Sequence, residues 1–198
     1  MSEFHDPYID QQTGVLRNLV GATSQSALNA AESDLTFARA TQLHKRYIPR
    51  TNDLDELCAI HQHLFQDVYD WAGQPRTVDI RKNRDGAAFF APVSMIKRSA
   101  GYAAASLRDG GLLRSLPREQ LVERLAFHYD QFNYLHPFRE GNGRAQRIFW
   151  SRVVRDAGCV LDWRDVPGEV NDAACHHAAA GDLGPLVTMF DALVTQLP

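Results

Sequence analysis

The chain has only three cysteines in 198 residues, Cys58, Cys159 and Cys175, and none belongs to a C-x-x-C pair. That excludes a disulfide framework and the usual spacing of a structural zinc site, leaving reduced thiols in a packed interior. No apolar run is long enough to span a bilayer, and Met1 to Asp10 carries acids and a proline where an export signal would be basic and apolar. No membrane association is expected, and the expected location is the cytoplasm. An excess of one charge is missing too: 21 Lys and Arg stand against 24 Asp and Glu, a formal net charge of −3, with the cations scattered. Direct binding to nucleic acid or to an anionic surface is therefore not expected. No repeat, low-complexity tract or long linker divides the chain. Residues 1–198 read as a single domain, large enough to bury a full core.

Helical periodicity is what the chain has in abundance. Leu35, Ala38 and Leu43 are loosely spaced as on a helix between Leu28 and Tyr47, which Pro49 ends. Leu54, Leu57, Ile60, Leu64, Phe65 and Val68 form a clearer stripe from Asp53 to Trp71, behind a cap at Asn52 or Asp53. Further amphipathic stretches run from Ala91 to the Gly110-Gly111 pair, from Pro117 to Leu135, from Arg144 to Asp156 and from Leu183 to Leu197. Between Ala72 and Pro92 the pattern alternates, with Val78 and Ile80 opposed to Thr77, Asp79 and Arg81. A strand there, the Asp85-Gly86 turn signal and a second strand over Ala88 to Ala91 predict a hairpin that leans on the helices. The predicted class is all-α, a helical bundle with one short β-hairpin flap at about residues 76–92.

The chemistry concentrates in His136-Pro137-Phe138-Arg139-Glu140-Gly141-Asn142-Gly143-Arg144-Ala145-Gln146-Arg147. Pro137 disfavours the helical region for His136, which places the imidazole where a helix meets a loop. Gly141 and Gly143 let a backbone approach an anion closely, and the helix that follows offers free N-terminal amides to phosphate. Arg144 and Arg147, three apart, share a face of its first turn. An imidazole accepts a hydroxyl proton near neutral pH, Glu140 supplies a hard oxygen for Mg²⁺, and the arginines neutralise phosphate charge.

This run resembles the signature of the Fic family, H-x-F-x-[D/E]-G-N-G-R-x-x-R, at all eight fixed positions. Asp70 to Ile80 is similar to the family stretch D-W-A-G-x-x-R-x-V-x-I that leads into a target-binding flap, and Phe90-Ala91-Pro92 to its end. Weaker likenesses lie at Tyr8 to Leu16, Ala157 to Trp163 and Gly181 to Leu183. The flap departs from the pattern where Arg81-Lys82-Asn83-Arg84 replaces the commoner S-K-G. The resemblance implies a protein adenylyltransferase that moves AMP from ATP, with Mg²⁺, onto a hydroxyl side chain of a target protein. His136 would then be the general base and Glu140 the metal ligand. Gly141, Asn142 and Gly143 would cradle the α- and β-phosphates, with Arg144 at the β- and Arg147 at the γ-phosphate. Phe138 anchors the loop in the core. His61 and His63 point to different helix faces and read as surface or packing residues, as do His176 and His177. Ser151 and Asp130 complete no Ser-His-Asp set.

Many family members restrain themselves with [S/T]-x-x-x-E-[G/N]. Only Ser115 to Glu119 has that spacing, in the wrong context, while Glu32, Glu56, Glu123, Glu140 and Glu169 lack the hydroxyl residue. The resemblance thus implies a toxin restrained by a small antitoxin protein that supplies the glutamate. In the branch it looks most like, the targets are type II topoisomerases, DNA gyrase and topoisomerase IV. Two rivals are a phosphoryltransferase of the same fold, which Gly141-Asn142-Gly143-Arg144 argues against, and a non-catalytic nucleotide-binding module, which the intact His136 argues against.

Overall fold

Ser24 opens the first helix, α1 (Gln25–Gln42), by accepting the Ala27 amide, and Asp53 opens α2 (Leu54–Phe65) by accepting those of Asp55 and Glu56. The structure is a computed structural model and describes residues 6–81 and 90–197. After α2 come α3 (Ile96–Asp109), α4 (Arg118–Leu135), α5 (Asn142–Asp156), α6 (Gly168–Ala179) and α7 (Gly184–Leu193). Two three-residue strands, β1 (Cys159–Leu161) and β2 (Val194–Gln196), pair antiparallel with Val160 opposite Thr195. The all-α reading holds, and the chain is a helical bundle.

The apolar stripes meet in one core. Phe132 of α4 stacks on Phe149 of α5 at 5.0 Å and meets Trp150 edge-on at 5.3 Å, while Tyr129 meets Phe190 of α7 edge-on. Such offset and T-shaped pairs suit the ring quadrupoles. α5 lies against α2 and β1, α4 against α3 and α7, and α1 against α2. The signature loop, between α4 and α5, is thereby fixed at both ends to central helices.

Three elements differ from the expectation. The sequence pattern does not announce α6, whose inward residues Ala174, Cys175 and Ala178 are small, so its apolar stripe is faint. The last helix stops at Leu193 because Val194 turns extended, and its strand clasps β1 just beyond the end of α5. Among the described residues of the flap there is no regular strand. Arg81 makes an isolated bridge, and the Phe90 amide donates to Ile80 O at 3.1 Å. Residues 82–89, which include the Asp85-Gly86 turn, lie outside the described residues.

Candidate active site

α4 ends at Leu135, and His136 follows in the left-handed region with φ 38 and ψ 60. Pro137 does end the helix there, but His136 turns left-handed instead of extended. Arg76 holds this uncommon geometry. It is 2% exposed, its amide donates to Pro137 O at 2.7 Å, and its guanidinium donates to the carbonyls of His136, Val78, Ala91 and Leu135. A cation among the last carbonyls of α4 meets the negative end of the helix dipole, which offsets the cost of burying it. One side chain therefore ties Val78 and Ala91 to the start of the signature loop.

The His136 ring stacks on Phe90 at 3.7 Å with only 7° between planes, and Nδ1 lies 3.3 Å from Asn133 O. A carbonyl only accepts, so the Nδ1 hydrogen points to Asn133 and the lone pair of the neutral ring sits on Nε2.

The loop from Phe138 to Asn142 is braced from within. The Asn142 side chain, buried, accepts from the Phe138 amide at 2.9 Å and donates to Phe138 O at 2.8 Å. One N–H and one lone pair of that side-chain amide brace the loop, and Asn142 also brings a main-chain N–H to the start of α5. Gly141 sits at φ 82, and a Cβ there would come within 2.3 Å of the Phe65 ring, whereas over Gly143 the space is open. No side chain caps α5. A helix start without a side-chain cap, with open space over Gly143, has the character of an anion cradle.

Glu140 stands at the mouth with its side chain 46% exposed, Oε1 accepting from the Gly141 amide at 2.9 Å. Its carbonyl is held by His61, which is fully buried between the rings of Phe65 and Phe138. His61 Nδ1 accepts from Gly73 N at 2.8 Å, so Nε2 carries the proton toward Glu140 O. Burial, with nearby Arg144 adding to it, draws the His61 pKa down to about 4 and keeps it neutral. His63 points elsewhere, to Arg39 O. Both histidines are buried packing residues, while His176 and His177 are exposed on α6.

The Glu140 carboxylate, exposed and 3.8 Å from Arg144, fits a Mg²⁺ carried in on nucleotide phosphates, which asks for few protein ligands. Among the described residues no cluster of three or more His, Cys, Asp or Glu forms an all-protein metal cage.

Arg144 and Arg147 line one groove of about 570 Å³ between α1, α5 and Trp163. Arg147 lies over the Trp163 ring at 5.1 Å and donates to Val166 O, while Trp163 itself donates to Ser151 Oγ. Ser151 is therefore part of this brace, away from His136. Arg144 lies over Phe65 at 4.8 Å and pairs with Glu32 of α1. In the sequence Glu32 only fails the inhibitory pattern, His61 reads as a surface or packing residue and Arg76 stands out only within a family stretch. For Glu32 a signal existed: it falls on the buried face of α1 with Leu28 and Thr36, where an ionised residue needs a partner. Phe138 is fully buried, as expected of an anchor.

The Fic/DOC family model matches residues 51–153. The chain is 37% identical over 194 residues to the probable protein adenylyltransferase Fic of Salmonella typhimurium, covering 98% of this chain and 94% of that protein. It is 39% identical over 159 residues to protein adenylyltransferase VbhT of Bartonella schoenbuchensis, covering 80% of this chain and 33% of that longer protein. The crystal structure of BepC from Bartonella tribocorum with bound AMPPNP superposes with a TM-score of 0.88 over 96% of this chain and 97% of that one, at 24% identity, a likeness of fold. With its loop, histidine and arginines arranged as described, the chain belongs to the Fic/DOC family.

Proposed function

We propose that the chain is a protein adenylyltransferase that moves AMP from ATP to a hydroxyl side chain of a target protein. The observation that carries this is the juxtaposition of a proton-accepting His136 Nε2, fixed by Asn133 and Phe90, with the open cradle at the start of α5. Full-length relatives named as adenylyltransferases, and a neighbour of the same fold that binds AMPPNP, support the reading. The target hydroxyl attacks the α-phosphorus as His136 takes its proton; the bond to the bridging oxygen breaks, and pyrophosphate leaves. The α5 amides of Asn142, Gly143 and Arg144 hold phosphate oxygens, Arg144 the β- and Arg147 the γ-phosphate. Glu140, together with the nucleotide phosphates, would hold a Mg²⁺, which would supply charge neutralisation on the leaving group.

His136→Ala should leave ATP binding within about twofold while lowering transfer by about a hundredfold or more. Label followed from α-³²P-ATP, with none from γ-³²P-ATP, distinguishes AMP transfer from phosphoryl transfer. Equal transfer by variant and parent would remove His136 from the mechanism.

The proposal extends to restraint in trans. The groove that presents Arg144 and Arg147 has apolar walls and an arginine rim, which suits an amphipathic antitoxin helix whose glutamate competes with the γ-phosphate for Arg147. The toxin role, a cytoplasmic site of action and the targets DNA gyrase and topoisomerase IV belong to the same proposal. Intact mass of topoisomerase subunits after incubation with chain, ATP and Mg²⁺ tests the targets: a gain of one AMP supports them.

A further inference from the structure

The transfer step leaves one buried carboxylate beside the arginines without a task, that of Glu32, 7% exposed on the inner face of α1. A carboxylate there must be paired and hydrogen-bonded to be tolerated. Its two oxygens are divided: Oε2 accepts from the Tyr69 hydroxyl and Oε1 from Arg144 Nη2. Arg144 is gripped on other sides as well, its face over Phe65, Nη1 3.4 Å from Thr36 Oγ1 and Nη2 3.8 Å from Glu140. The Phe65 ring also abuts Gly141. The arginine and the loop it serves therefore share one rigid support.

We propose that Glu32, anchored by Tyr69, is the positioning residue that sets the Arg144 guanidinium in place for the β-phosphate before nucleotide arrives. It rests on the reading of Arg144 as a phosphate ligand. A brake would have to occupy the donors that phosphate needs, but Glu32 takes one of the five N–H groups of a guanidinium and is itself tied to Tyr69. A planar fork held on one edge loses less freedom when its other donors engage an anion.

The test compares ADP with AMP, which differ by the β-phosphate, by calorimetric titration with Mg²⁺. Glu32→Gln keeps the volume and removes the charge; ADP should bind about tenfold more weakly, with AMP unchanged. Arg144→Ala should weaken ADP at least as much, and the double variant should be no weaker than Arg144→Ala alone. Glu32→Asp should recover part of the loss. Tyr69→Phe, which keeps the ring and loosens the anchor, should lose about two- to threefold for ADP alone, and it carries the test if Glu32→Gln does not fold. Unchanged or tighter ADP binding in Glu32→Gln while Arg144→Ala is weakened overturns the proposal, and so does an equal loss for AMP. Unimpaired ADP binding by Arg144→Ala overturns the assignment of Arg144 instead.

Discussion

Two glycines of one loop are there for different reasons, and the difference is measurable. Gly141 has φ 82 and sits against Phe65, a fully buried ring that cannot retreat. Gly141→Ala meets that ring and forces an unfavourable left-handed backbone, so a loss of about 2–3 kcal/mol in stability is expected, with weakened ATP binding. Gly143 is helical and its missing side chain would stand in open space. Gly143→Ala should therefore unfold at the same urea concentration as the parent, or slightly higher, yet bind ATP about tenfold more weakly because the methyl occupies the anion's place. Equal destabilisation by both substitutions would contradict this division. At the same scale, Arg76→Met would leave the carbonyls of His136, Val78, Ala91 and Leu135 without their donor. The expected loss is about 3 kcal/mol or more, read by urea unfolding, with transfer falling further because His136 loses its backbone hold.

Between elements, α2 supports the signature loop through a neutral histidine, which makes that support sensitive to acid. His61 has a folded pKa of about 4 against an ordinary value of 6.5, since burial disfavours its charged form. With the folded value depressed, the unfolded chain binds the proton first as pH falls. The stabilisation is complete above about 6.5, declines as pH drops from there to about 4, and is flat below, a change of about 3 kcal/mol from this group. Urea midpoints of the parent at pH 7.5, 5.5 and 4.0 should fall in that order, and His61→Gln should show a shallower decline from a lower start. An equal slope in the variant would place the acid sensitivity elsewhere, His128 being another histidine that burial holds below its ordinary range. The same element shows what was legible beforehand. The stripe of α2 and its Asp53 cap follow from periodicity, and the signature loop is local enough to read as consecutive residues. The His61 contact with Glu140 spans 79 positions and that of Glu32 with Arg144 spans 112, so neighbouring sequence names neither partner, even where the buried face of α1 marks Glu32 as needing one. The β1–β2 clasp and α6 escaped for a related reason: three-residue strands and a stripe of alanines carry too little periodicity to stand out.

At the scale of the whole molecule, one apolar cluster takes in Tyr8 near one end of the described chain and Val194 near the other, and every helix contributes to it. The α5 helix buries Phe149, Trp150, Val153 and Val154 in it. The signature loop cannot then loosen without disturbing the core that every other element shares. A chain built this way should unfold as a single cooperative unit, with calorimetric and van't Hoff enthalpies equal within error. The tryptophans make the test stringent because they report from separate places: Trp71 beside Tyr8 and Tyr69, Trp150 at the centre, and Trp163 over Arg147 beside the groove. Single-tryptophan variants followed by fluorescence should share one midpoint with helical circular dichroism. Phe149→Leu should lower that common midpoint by about 2–4 °C for each kcal/mol lost, moving every probe together. A Trp163 signal that melts ahead of the others would show that the groove and the β1–β2 clasp form a separate unit, and the reading of residues 1–198 as one domain would fall.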